Sequence, residues 1–336
     1  MKRIGRILAA LLLALVLVVA GLKLAEPHVV PPGQMVDVGG LRMRIECTGP
    51  ASAQTVLLES GATGLGAYYY WMQQGLSQRV RTCNYDRVGS GWSDDNDAPH
   101  DAQHFSQQLH ALLQAANVKP PYVLAGHSLG GIVIRVFAKD YPSEVSGLVF
   151  LDSSHPGQVE KLPKPPIESA SPGAIVFLTK AMEFAATTGL THLFNPSGKQ
   201  LEQAPWFQAL PSARQEQLMA LTHRAQTYKG AREELLGLED SFRQGGLVTT
   251  LGDRPLLVIS AAEIPEIPGI SAQWGEEFLR QVGALHQELA SLSSRGRRIV
   301  LPGAHVTMVV QKDHASQVVS AILEVVDEAA ALPPLR

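Results

Sequence analysis

The sequence predicts an α/β fold: a mostly parallel central sheet with helices on both faces, a helical lid inserted between strands, and an N-terminal membrane segment. Three observations carry that expectation. Short apolar runs bounded by turn residues recur along the chain, namely LRMRIECTG, TVLLESG, VRTCNYDR, YVLAGHS, GLVFLDSS, PLLVISAA and RRIVLPGAH. Helix-length segments separate several of them, such as DAQHFSQQLHALLQAANV at 101–118. Strands alternating with helices, and apolar on both faces, belong in a parallel sheet covered on both sides. The alternation then fails between Pro156 and about Arg254, where helical patterns run without a core strand. That stretch is too long for an ordinary connection and reads as a lid over the strand ends, where open α/β sheets bind ligands.

The elements follow in order. MKRIGR carries Lys2, Arg3 and Arg6, and Ile7 to Leu22 follows without a charge. Those residues span about 24 Å as a helix, slightly short of a ~30 Å hydrocarbon core. More positive charge before the segment than after it (Lys23) predicts a cytoplasmic N-terminus. A cleaved signal and an uncleaved anchor both fit. AGLKLAEP offers no clean small-x-small site, which favours the anchor. Either reading exports the rest, to a periplasmic or extracellular space. The expected boundaries are 1–23 for the membrane segment, 24–34 for a linker, 35–155 and 255–336 for the two parts of the core, and 156–254 for the lid. Within the lid, helices are expected over 174–194, 212–230 and 231–244.

Composition narrows the classes. The 336 residues are 45% hydrophobic and 18% charged, with a formal net charge of -3. No basic excess points to nucleic acid, and no acidic block to a solvating tail. Cys47 and Cys83 are an even pair, hence a disulfide candidate in an exported chain. Two buried thiols are the alternative.

The chemistry centres on Gly126-His127-Ser128-Leu129-Gly130. A β-favouring run precedes it and IVIRVFAKDYP follows, so G-x-S-x-G falls at a strand-to-helix turn. A tight turn there lifts the serine hydroxyl above the sheet, and glycines two residues either side avoid Cβ clashes. A serine hydroxyl needs a base, and the base needs an orienting acid. His305, just after the last strand run, is the expected base. His127 adjoins the serine, and neighbouring side chains at a sharp turn point apart. His100, His104 and His110 lie on or beside one helix and are expected to be solvated. No histidine cluster has metal-ligand spacing, so no metal is expected. The oxyanion donors are expected to be the N–H groups of Leu129, after the serine, and Ala62, in the loop of VLLESGATGLG.

Together, GHSLGG, LLESGATG, YDRVGSGWSD, GLVFLDSSHP and the terminal PGAH resemble the α/β hydrolases, in particular lid-bearing, esterase-like members. The resemblance runs from about Leu41 to Ala330. It implies Ser128 as nucleophile and His305 as base, and it gives YDRVGSGWSD a structural role. It also implies that the strands of Cys47 and Cys83 are neighbours, which favours their disulfide. The acid departs from the common pattern. The usual position after the lid falls on Ile264, with Glu263 one residue early. Asp152, at the end of GLVFLD, is preferred because some relatives take the acid from that strand; Glu263 is the alternative. The function so implied is hydrolysis of an ester or related acyl bond through an acyl-enzyme, on a small, apolar substrate and without a cofactor. Acyl transfer, C–C bond hydrolysis by the same serine, and non-catalytic ligand binding are the rival readings.

Overall fold

The computed structural model describes residues 2–24, 28–50, 54–164, 171–264 and 269–333. Among them eight strands form one sheet: β1 (Gln34–Asp37), β2 (Arg42–Thr48), β3 (Thr55–Glu59), β4 (Arg81–Tyr85), β5 (Tyr122–His127), β6 (Val145–Leu151), β7 (Leu256–Glu263) and β8 (Gly296–Ala304). Their order is β1-β2-β4-β3-β5-β6-β7-β8. The pairs β1–β2 and β2–β4 are antiparallel and the others parallel. The helices are α1 (Lys2–Leu24), α2 (Tyr70–Leu76), α3 (Ala102–Ala115), α4 (Leu129–Asp140), α5 (Gln158–Lys161), α6 (Pro172–Thr188) and α7 (Pro196–Glu202). They continue as α8 (Pro205–Gln208), α9 (Ser212–Leu221), α10 (Ala225–Leu236), α11 (Leu238–Gly246), α12 (Ala272–Ala290), α13 (Thr307–Val310) and α14 (Lys312–Ala330).

The sheet divides two apolar layers because successive strand residues point to opposite faces. Leu57, Leu124, Leu148, Phe150 and Val258 pack with Phe137 of α4 and Leu289 of α12 on one side. Val56, Leu58, Val123, Val149 and Leu257 pack with Met72 of α2 and Ile322 of α14 on the other. Every residue of β3, β5 and β6 is buried, which is why these strands read as unbroken apolar runs.

The topology also places the site. From β3 the chain steps to β4 on one side, then returns across β3 to β5 on the other. The switch point therefore lies at β3 and β5, where open α/β sheets bind ligands outside the C-terminal strand ends. Those two ends carry Ser60–Gly64 and Ser128.

Several expectations change. β1 is an eighth strand that the sequence patterning missed; four partly exposed residues are too short to show alternation. The expected linker therefore ends at Gly33, and 25–27 lie outside the described residues, as do 165–170 of the Pro-rich stretch. The helix expected over 174–194 stops at Gly189, which adopts φ +84°. A left-handed glycine ends a helix at little steric cost. The segment 212–230 breaks between α9 and α10. His100 is buried beside Phe105, with its ring nitrogen 3.3 Å from Asp95, rather than solvated. Cys47 and Cys83 face each other across β2 and β4 and form a disulfide.

Candidate active site

Ser128 sits between β5 and α4 with φ 53° and ψ −123°. A non-glycine residue there is strained and persists only where its surroundings hold it. They do so through its backbone: Ser128 N–H donates to Leu151 O at 3.2 Å. Its carbonyl accepts from Gly131 at 3.0 Å and Ser154 at 2.9 Å. The flanking glycines are required by space. A Cβ on Gly126 would stand 2.5 Å from Gly130 O, and one on Gly130 would stand 2.5 Å from Ser60 O. α4 begins at Leu129, and the first N–H groups of a helix have no intrahelical acceptor.

His305 follows β8, and its Nδ1–H donates to Asp152 Oδ2 at 2.7 Å. That bond leaves the lone pair on Nε2. Asp152 stands at the end of β6 with φ 41°. Its N–H donates to Ile259 O at 2.7 Å, and its Oδ1 accepts from Ala261 N–H at 2.9 Å, so β7 fixes it from both ends. Burial pushes the Asp152 carboxyl up, but the His305 hydrogen bond and charge outweigh it and hold the group at about 2. Glu263 Oε1 instead accepts from Gly303 N–H at 3.3 Å.

Two further histidines frame this pair. His127 donates from Nε2 to the His305 carbonyl at 2.8 Å, and the two rings lie 4.4 Å apart. The His127 ring reaches the His305 loop and lines the same cavity as Ser128. His286 accepts from Ser260 at 2.7 Å, donates to Ser153 O at 3.0 Å and lies 4.0 Å from Asp152. Burial pushes His127 down to about 3, with the His305 charge adding to it. Burial likewise lowers His286, and takes His155 to about 4.

These shifts set the acid response. A histidine whose folded pKa lies below the unfolded value of about 6.5 lets the unfolded chain bind more protons, so stability falls as pH drops through that value toward the folded one. Asp152, depressed below 3.8, contributes stability that is lost only at lower pH. Thermal melts should therefore weaken from about pH 6.5 to 4, by at most about 1.4 kcal/mol per pH unit for each buried neutral histidine. His127→Asn should flatten that slope; an unchanged slope would contradict the assignment.

Ala62 lies in the turn closed by Gly64 N–H on Gly61 O at 3.0 Å. A buried charge cluster supports the turn from beneath; Asp86 and Arg87 take the structural role expected of YDRVGSGWSD, while the partners Glu59 and Glu234 were not foreseen. Arg87 donates from Nη2 to the carbonyls of Ser60 and Gly61, the latter at 3.0 Å. It also pairs with Glu59 at 2.7 Å and with Glu234 of α10. Glu234 in turn accepts from Thr63 N–H at 3.1 Å. Asp86 receives the N–H groups of Gly66 and Trp92, both at 3.0 Å. Asp86 and Arg87, just past a strand end, carried that expectation, and Glu59, closing the neighbouring apolar strand, offered the same signal. Glu234 had none.

Ser128 and His305 border two cavities. One of about 510 Å³ is lined by Asp152, Glu263, Leu162, Trp274 and Phe278. Another of about 250 Å³ is lined by Gly61, Ala62, Tyr68, His127 and Val306. The arrangement sets a hydroxyl on a strained turn and an imidazole between the two cavities, with a buried carboxylate on one side and a backbone-rich loop on the other.

A fold ordered in this way, with a serine elbow after its fifth strand and a histidine after its last, defines an α/β hydrolase, and the comparisons agree. A family model described as "alpha/beta hydrolase fold" matches residues 54–260. The chain belongs to that family: it is an α/β hydrolase. The uncharacterized protein C23C11.06c of Schizosaccharomyces pombe is 32% identical over 160 residues, covering 39% of this chain and 29% of that protein. The chain thus matches well under half the length of that relative. A thermophilic esterase from Thermogutta terrifontis is 18% identical with a TM-score of 0.58, over 87% of this chain and 97% of that one. The epoxide hydrolase CorEH is 14% identical with a TM-score of 0.60, again over 87% and 97%. These two share the fold.

Proposed function

We propose that the chain is a serine hydrolase that cleaves an ester or related acyl bond through an acyl-enzyme. The observation that carries this reading is the 2.7 Å contact between Asp152 and His305 beside the strained Ser128. In the proposed reaction Ser128 Oγ attacks the acyl carbon while His305 Nε2 takes its proton. Ala62 and Leu129 N–H groups stabilise the oxyanion. The acyl–oxygen bond breaks and His305 passes the proton to the leaving alkoxide. Water, deprotonated by His305, then attacks the acyl-enzyme, and the proton returns to Ser128 as the acid product leaves. Asp152 keeps the imidazole oriented and stabilises its charged form. A serine at the elbow, rather than an aspartate, favours this chemistry over epoxide opening.

Residues 156–254 act as the lid, on the support that Gln158 and Leu162 line the larger cavity and Glu234 reaches the oxyanion turn. Leu162, Ile270, Trp274 and Phe278 make the larger cavity apolar, which suits an apolar acyl or alcohol portion. α1 serves as a membrane anchor with the domain exported: it is long and apolar enough to cross a bilayer, and the Cys47–Cys83 disulfide suits an oxidising space. A fluorophosphonate probe tests the reaction. Labelling of wild type should disappear in Ser128→Ala and fall steeply in His305→Ala. A folded wild type that does not label would overturn the proposal.

A further inference from the structure

α6 is turned outward. Its exposed positions include Ala174, Phe177, Leu178, Ala181 and Phe184, spaced as i, i+3, i+4, i+7 and i+10 and hence on one face. Phe177 is 76% exposed, Leu178 62% and Phe184 62%, and past Gly189 Phe194 is 66% exposed. The inner side holds the charge: Glu183 pairs with Arg232 of α10 at 2.5 Å. A helix bound only by water would reverse this arrangement. Contiguous apolar patches of this kind mark a protein or membrane contact.

The position of α1 says which. Lys23 Nζ donates to Thr187 O at 2.8 Å, tying the last turn of α1 to the end of α6. Val19 of α1, buried there, stands where a Cβ on Gly189 would come within 2.8 Å of it. Phe184 lies about 4.5 Å along α6 from Thr187 and Phe177 about 15 Å, so the stripe runs out from the end of the apolar helix. Its exposed residues carry one charge, Lys180, and no carboxylate, which suits an interface with lipid headgroups.

We infer that α6, with Leu193 and Phe194, is an interfacial surface that rests in the leaflet where α1 ends. The inference rests on α1 being a membrane anchor. Its test is photolabelling of the full chain reconstituted in phosphatidylcholine vesicles doped with a phosphatidylcholine bearing an acyl-chain diazirine, with labelled peptides mapped by mass spectrometry. Label is expected in α1 and also within 173–194. In Phe177→Gln/Leu178→Gln/Phe184→Gln the α6 label should be lost while the α1 label and the melting curve persist. Label confined to α1 in wild type would overturn the surface and leave the anchor standing. Absence from both would overturn the anchor, and the surface with it. Cross-linking of α6 to a second copy instead of lipid would replace the bilayer with a dimer contact and overturn the inference.

Discussion

Asp152→Asn should lower kcat by about 10⁴-fold with little change in KM, measured on a chromogenic short-chain aryl ester. The carboxylate accepts the His305 Nδ1–H at 2.7 Å while its other oxygen is held by Ala261 N–H. An amide in that place offers an N–H to the ring, so the tautomer with its lone pair on Nε2 loses its support. The imidazolium formed during turnover also loses its counter-charge. Glu263→Gln should cost far less, because Glu263 meets the backbone of Gly303 rather than the ring. A collapse in Glu263→Gln with Asp152→Asn intact would move the acid to β7.

Arg87→Met should destabilise the fold by about 3–5 kcal/mol in urea titrations, because it leaves Glu59 and Glu234 buried without their cation. Both carboxylates are almost wholly enclosed, so water cannot take the place of the guanidinium. The same variant frees the carbonyls of Ser60 and Gly61. Fluorophosphonate labelling should slow even at temperatures where the variant stays folded, since the turn carrying Ala62 is no longer pinned. Replacing Glu59 and Glu234 by glutamine in the Arg87→Met background should recover part of the stability. No recovery would mean that the loss comes from packing and not from stranded charge.

The strands were legible because both sides of the sheet are covered: TVLLE, YVLAGH and VSGLVFL are buried at every position, and burial on two faces leaves unbroken apolar runs. Ser128 was legible because a strained turn between strand and helix demands glycine at set distances, and Gly126 and Gly130 meet backbone there. α1 was legible from length and the lack of charge. β1 escaped because four edge residues carry too little pattern, and the insertion's helix ends escaped because Gly189 stops a run that stays apolar beyond it.

The two carboxylates show where local reading ends. Asp152 and Glu263 each close a strand beside the His305 loop, and both border the same cavity. The sequence alone determined the class of fold, the strand-to-helix turn at Ser128 and the membrane-length helix, and among eleven histidines it pointed to His305, whose ring the fold sets 2.7 Å from Asp152. Tertiary structure alone decided which carboxylate meets the ring, that His127 reaches the His305 loop, and that Glu234 crosses from α10 to Arg87. Periodicity and turn chemistry act over a few residues and leave a local trace. A hydrogen bond between residues 153 positions apart depends on where the folded backbone sets two strand ends, and that geometry is specified by the packing of the whole sheet.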